Sequence, residues 1–229
     1  MNPSEYVKNK LYHGEIVNMV IQDLHKVLKF KNALFVRTPT TGSWMDAMIT
    51  TYKTLNPYPI LYTRNGAATN SAAKRLYTIL DHSQLKSHVI NLKRRFDLIC
   101  VDPFHEYSES ISDFTLLTSV LSDDGVLISH DCFPHKKEYS SPVFKSGWWC
   151  GVTYVAFVEV AYNNPSWFYA ILDNDNGVGI ISKKAVAHLK NDFDREKQKQ
   201  LIQMNKEGDE ATYEYFCANS AALINLIRE

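Results

Sequence analysis

The chain has 229 residues, enough for one domain with a sizeable core, and 45% hydrophobic with 12% aromatic content excludes a disordered polymer. Its 25 Lys and Arg balance 25 Asp and Glu, so no overall field favours nucleic acid or an anionic membrane. No apolar run approaches the ~18 residues of a membrane span, and Met1-Asn-Pro-Ser-Glu5 lacks the charged-then-apolar pattern of a secretion signal. A soluble, cytoplasmic protein without nucleic-acid or membrane partners is the expectation.

In chain order, Val7, Leu11, Ile16, Val20, Leu24, Val27 and Leu28 recur among charges and predict an amphipathic helical region over residues 5 to 30. Asn32 to Val36 reads as a short strand, Arg37 to Ser43 as a turn, and Trp44 to Leu55 as a helix stopped by Pro57 and Pro59. Ile60 to Thr63 follows as a second strand, with a turn at Asn65-Gly66. A short helix over Asn70 to Arg75 precedes a third strand over Leu76 to Leu80, which ends in Asp81-His82-Ser83. Residues 84 to 95 read as a polar helix or loop.

The next segment carries the most information. Leu98 to Val101 and Val126 to Ser129 are short apolar runs that end abruptly in polar residues. Between them Ile111, Phe114, Leu117, Thr118 and Leu121 recur at helical spacing. A loop from Phe133 to Gly147 leads to a helix over Trp148 to Tyr162. Phe168 to Leu172 and Gly177 to Ser182 form a terminal hairpin around Asp173-Asn-Asp175-Asn176, and the tail from Lys183 is charged and helical. Alternating strands and helices predict an α/β domain with a mostly parallel sheet, helices on both faces and a C-terminal antiparallel hairpin. Residues 1–31 would be a helical cap, 32–182 the core and 183–229 a helical tail.

Open parallel sheets bind ligands beyond the carboxyl ends of their strands. Asp102 and Asp131 end neighbouring strands there, with His105 and His130 beside them. Histidine titrates near neutrality, so either imidazole is a candidate general base. Asp131 could orient His105 or His130, although adjacent strand residues point opposite ways. Oxygens of Asp102 and Asp131 could hold a hard divalent cation such as Mg²⁺, a lesser expectation beside backbone capping by Asp102. His130, Cys132 and His135 match no closed zinc pattern. Cys100, Cys132, Cys150 and Cys217 form no C-x-x-C pair and are expected as reduced thiols. Trp148, Trp149 and Phe133 could wall a pocket, while Tyr154 and Phe157 read as core. Asp173 to Gly177 reads as a hairpin turn rather than a calcium loop. Lys93-Arg-Arg95 and Lys136-Lys137 are short basic clusters of the solvated surface.

The stretch Phe96-Asp-Leu-Ile-Cys-Val-Asp102-Pro-Phe-His105-Glu-Tyr107, followed by Gly125-Val-Leu-Ile-Ser-His130-Asp131-Cys-Phe-Pro134, resembles the class I S-adenosylmethionine-dependent methyltransferases. Trp149-Cys-Gly151-Val-Thr-Tyr154 and Asp173-Asn-Asp175-Asn-Gly177-Val-Gly179 look like two further motifs of the bacterial branch found in sugar, capsule and secondary-metabolite methylation. The resemblance covers roughly residues 32 to 182. It implies a Rossmann-like sheet and methyl transfer to a hydroxyl of a small molecule or sugar. Asp102, His105, His130 and Asp131 would then surround the reaction centre, with Thr38, Gly42, Ser43, Asp81, His82 and Asp102 along the cofactor. A metal held by Asp102 and Asp131 would follow the catechol-type relatives, and a homo-oligomer fits the resemblance.

The chain departs from that family in its first half. Phe35 stands at the acidic position of the cofactor loop, Arg37 at its first glycine, and no carboxylate occupies Thr63 to Asn65, where the family grips the ribose. The alternative expectation is a protein that kept the fold, lost the cofactor and binds another ligand or partner. A third reading uses the same cluster for metal-assisted hydroxylation or hydrolysis.

Overall fold

The computed structural model describes residues 15–42, 44–64, 71–184 and 193–228. The chain runs α1 (Glu15–Leu28), β1 (Ala33–Arg37), α2 (Met45–Thr51), β2 (Pro57–Thr63), α3 (Ser71–Leu76), β3 (Thr78–Asp81), α4 (His82–Asn91), β4 (Phe96–Asp102), α5 (Tyr107–Ser119) and β5 (Leu121–Ser129). It continues through α6 (Thr153–Asn163), β6 (Phe168–Leu172), β7 (Val178–Ser182), α7 (Arg195–Glu207), α8 (Thr212–Leu223) and β8 (Asn225–Ile227).

Eight strands form one sheet in the order β3-β2-β1-β4-β5-β7-β6-β8. β1 to β5 pair in parallel, whereas β7 runs antiparallel to both β5 and β6. Residues alternate between the two faces with the period of a pleated strand. Ala33 and Phe35 of β1, with Leu98 and Cys100 of β4, face a core completed by Val17 and Ile21 of α1 and Met45 and Met48 of α2. Leu34, Val36, Ile99 and Val101 face the other core, closed by Val89 of α4, Phe114 and Leu117 of α5, Phe157 of α6, Leu201 of α7 and Phe216 of α8. Burial on both faces explains why the central strands read as continuous apolar runs.

Four local expectations need correction. β2 begins at Pro57 rather than Ile60; both prolines precede Ile60, where β3 starts to pair, so their missing N–H groups cost no bond on that side. β3 starts after Leu76, which closes α3. The helix expected from Trp148 starts at Thr153, because the N–H groups of Cys150 and Gly151 bond Tyr139 O and that of Val152 bonds His105 O, holding a loop. The hairpin is not the sheet's edge: the tail folds back after two helices and β8 adds to β6 in parallel. Three residues carry too little pattern to predict such a strand; the open edge of β6 supplies its partners. The Asn65-Gly66 turn and the first ten residues of the N-terminal helical region lie outside the described residues.

Candidate active site

Two strand tips and one hairpin turn build the site. β4 ends at Asp102 and leads through Phe104 and His105 into α5, while β5 ends at Ser129 and leads into His130 and Asp131. Val101 pairs with Ser129, so the two tips lie level on one edge of the sheet. The expected opposition of His130 and Asp131 fails for a local reason. Asp131 has φ +58, a left-handed conformation that aspartate tolerates better than most residues, and its carboxylate returns beside His130.

The acids and imidazoles converge. His105 Nε2 lies 3.2 Å from Asp131 Oδ2 and 3.6 Å from Asp102 Oδ1. His130 Nδ1 lies 3.2 Å from the same Asp131 oxygen, and its Nε2 lies 3.1 Å from Asp175 Oδ2. The His130 contacts are at ion-pair distance though off the line of an ideal hydrogen bond. Asp131 therefore serves both histidines.

Burial and neighbouring charges pull against each other in this cluster. Burial alone would push His130 down, but Asp131, Asp175 and Asp102 hold its pKa well above the usual histidine value. With carboxylates at both nitrogens and no exposure, His130 faces Asp131 and Asp175 and does not line the cavity onto which Asp102, His105 and Asp131 open. Burial likewise opposes ionisation of Asp131, yet the two imidazoles hold its carboxyl well below the usual range. Asp102 is raised by burial despite the neighbouring histidines.

His105 is placed differently. Its Nδ1 lies 3.0 Å from Thr153 Oγ1, whose hydroxyl donates to Cys150 O. The threonine oxygen then accepts from Nδ1–H, and Nε2 faces the two carboxylates, where a proton or a cation fits. Asp102 Oδ2 accepts from Trp44 Nε1 at 2.9 Å, while buried Oδ1 has no hydrogen-bond partner. Among the described residues, Asp102, His105 and Asp131 are the group whose donor atoms could hold a metal ion.

These groups open onto a cavity of about 460 Å³, a size typical of small-molecule sites. It is lined by Thr40, Thr41 and Gly42 of the loop after β1, by Asp102, His105 and Asp131, and by a wall of Phe144, Lys145, Trp148, Trp149 and Cys150. Phe104 packs behind that wall, 5.1 Å from Trp149 and 5.9 Å from Phe144 between ring centres. A second hollow of about 570 Å³, between residues 137–145 and the α7–α8 turn, contains none of the cluster.

The loop after β1 is built around a guanidinium. Arg37 is buried and donates to Tyr77 Oη at 3.0 Å, Thr38 O at 2.9 Å and Thr41 O at 3.2 Å, with Asp46 at 2.9 Å. Its charge turns under the loop and away from the cavity wall. Gly42 packs so closely that an added Cβ would lie 2.8 Å from Arg37 Cβ and 2.9 Å from Asp102 Cβ. Thr41 Oγ1 donates to Asp102 O at 2.8 Å, tying the loop to the tip of β4.

Of the predicted cofactor residues, Gly42 and Asp102 line the cavity and Thr38 braces Thr41 behind it at 2.9 Å; Ser43 lies outside the described residues. Asp81 and His82 do not reach the cavity. Asp81 caps α4 through Ser83 and Gln84, and His82 Nε2 pairs with Asp113 at 3.3 Å while its ring sits 4.8 Å from Tyr62. Tyr62 Oη donates to Asp113 at 2.6 Å and accepts from Phe104 N at 3.0 Å. Arg64, at the tip of β2, pairs with Glu106 and Glu109 at 3.2 and 2.7 Å. Phe133 packs on Phe216 rather than on the cavity, and His135 turns outward to Asp173, apart from buried Cys132, so no zinc set forms. Trp44, Thr40, Thr41, Lys145 and Asp175 were not anticipated. Only Asp175 had a sequence signal, the Asp-Asn-Asp-Asn-Gly turn.

No protein-family model matches the sequence, and no curated protein sequence does. Among solved structures, the SAH-bound methyltransferase PaMTH1 of Podospora anserina is similar at 18% identity over 75% of this chain and 78% of that one, with a TM-score of 0.53. A Streptococcus mutans protein assigned as a SAM-dependent methyltransferase is 12% identical over 47% of this chain and 33% of its own, with a TM-score of 0.29. A Lactococcus lactis protein assigned as a hemolysin is 10% identical over 87% of this chain and 100% of its own, with a TM-score of 0.41. The first likeness shows that this chain shares its α/β fold with a methyltransferase; the other two carry no argument. No helix among the described residues is long and apolar enough to cross a membrane.

Proposed function

We propose that this chain transfers a methyl group from S-adenosylmethionine to a hydroxyl of a small molecule or sugar, at the rim formed by Asp102, His105 and Asp131. The convergence of these three groups over one hollow, beside the β1 loop of a class I fold, carries the reading. The Thr40 hydroxyl and the edge of Gly42 suit the polar methionyl end of the cofactor, Thr41 Oγ1 being bonded to Asp102 O. The ribose end meets no acid at the tip of β2, where Arg64 stands. When bound, S-adenosylmethionine supplies an electrophilic methyl on sulfur.

The chain's own residues do the rest. Asp102 Oδ1, a buried acceptor without a hydrogen-bond partner, is placed to receive the acceptor's hydroxyl hydrogen. His105 Nε2, 3.6 Å away, takes the proton as the oxygen becomes nucleophilic. Phe144, Trp148 and Trp149 hold an acceptor ring and exclude water. In the alternative to that proton transfer, a divalent cation held by Asp102, His105 and Asp131 would occupy Nε2 and itself lower the hydroxyl's pKa and orient it.

One observation favours a second reading. The loop is bonded onto the tip of β4 by Thr41, and Arg64 replaces the ribose acid, as in a protein that kept the fold and holds a different ligand. Methyl-labelled S-adenosylmethionine incubated with a panel of sugars, polyols and phenols, with and without Mg²⁺, separates the two. Label is expected in a methyl ether product, with S-adenosylhomocysteine released, and lost in Asp102→Asn. No transfer across the panel favours the second reading.

A further inference from the structure

The hairpin turn between β6 and β7 does more than reverse the chain. Asp175 and Asn176 have φ of +50 and +57 and Gly177 has φ +91, three consecutive left-handed residues where a short hairpin needs at most two. This conformation is held by the neighbouring loop: Cys132 N donates to Gly177 O at 2.9 Å, Phe133 N to Asn176 O at 2.7 Å and His135 N to Asn176 Oδ1 at 3.4 Å. A Cβ on Gly177 would lie 2.1 Å from Phe133 N. The outcome of this packing is the position of one carboxylate, Asp175 Oδ2, 3.1 Å from His130 Nε2.

From there the contacts run inward without a break. Asp175 meets His130, His130 meets Asp131 at 3.2 Å, Asp131 meets His105 at 3.2 Å, and His105 meets Thr153 at 3.0 Å. Acid and imidazole alternate, and every member is buried or nearly so. Asp131 must keep its strained φ and aim one oxygen at two histidines. It can do so only while His130 is fixed, and the far side of His130 is fixed by Asp175.

We infer that Asp175 is a positioning residue: through His130 it sets the orientation of Asp131, and so of the His105 imidazole that faces the cavity. The inference builds on the proposed role of His105, but its geometry does not depend on methyl transfer.

The test uses the full chain labelled with ¹⁵N-histidine, the His105 ring signals being identified by their loss in His105→Gln. Asp175→Asn is expected to displace the His105 ring nitrogen signals, and Asp175→Glu to return them towards wild type. Asp173→Asn, in the same turn but paired outward with His135 and Arg228, should leave them in place. If Asp175→Asn does not fold, His130→Gln gives the same reading and must displace them. Unchanged His105 signals in the folded Asp175→Asn or His130→Gln protein overturn the inference and leave the turn a purely structural clamp. Because no acceptor is needed, failure here is distinct from failure of the methyl-transfer reading.

Discussion

Gly151→Ala is expected to be the most damaging single-methyl change in the site. Gly151 has φ +55, and an alanine Cβ would lie 2.1 Å from His105 O and 2.6 Å from His105 Cβ. Neither atom is the end of a flexible chain. The left-handed backbone costs about 1–3 kcal/mol for a non-glycine residue, and overpacking against fixed backbone about 1–3 kcal/mol more. A loss of about 3 kcal/mol or more is therefore predicted in urea unfolding. The same shift would tear Val152 N from His105 O and misplace the imidazole, so cofactor-dependent activity should vanish even where the variant folds. A variant with wild-type stability would mean that the loop from Trp148 to Val152 does not lie against His105.

His105→Gln carries the largest expected effect on chemistry. Glutamine keeps polar reach and similar bulk, so Thr153 and Asp131 retain a partner. What is lost is a group that can take up a proton. The predicted fall in kcat is about 10²–10⁴-fold, with little change in KM for S-adenosylmethionine, the pattern of an interaction made only in the transition state. Single-substrate kinetics on the best acceptor from the panel reads this directly. Equal kcat would assign the proton to Asp102 or Asp131 instead. The contrast with His130 is informative, since that ring faces Asp131 and Asp175 rather than the cavity, and its loss is expected to reach His105 only through Asp131.

Much of this arrangement was legible in the residues themselves. β4, α5 and β5 were visible because buried parallel strands are short, apolar and abruptly ended, and because Phe114 and Leu117 repeat at helical spacing. The meeting of Asp102, His105 and Asp131 followed from parallel pairing, which brings successive strand tips to one edge. The orientation of Asp131 did not follow, because a left-handed φ leaves no trace in hydrophobic periodicity. The burial of His130 between two carboxylates did not follow either, because a sequence does not display what surrounds a ring. Asp175 was read as a turn residue, which it is; its second role depends on how that turn docks onto the loop after β5. The partners of Asp81 and His82, a capping box and Asp113 on α5, were not legible, because they depend on how α4 packs against α5. Arg37 reads as a departure from a glycine loop, and the folded chain turns that departure into the loop's internal support.

The central claim is that the hollow between the β1 loop and the tips of β4 and β5 admits a sulfonium nucleoside. Titration calorimetry of the full chain with S-adenosylhomocysteine tests it without an acceptor. The account predicts saturable one-to-one binding, weakened by bulk in the β1 loop in Gly42→Val, where added carbon meets Arg37 and Asp102. No heat at millimolar ligand, or binding untouched by Gly42→Val, would contradict it.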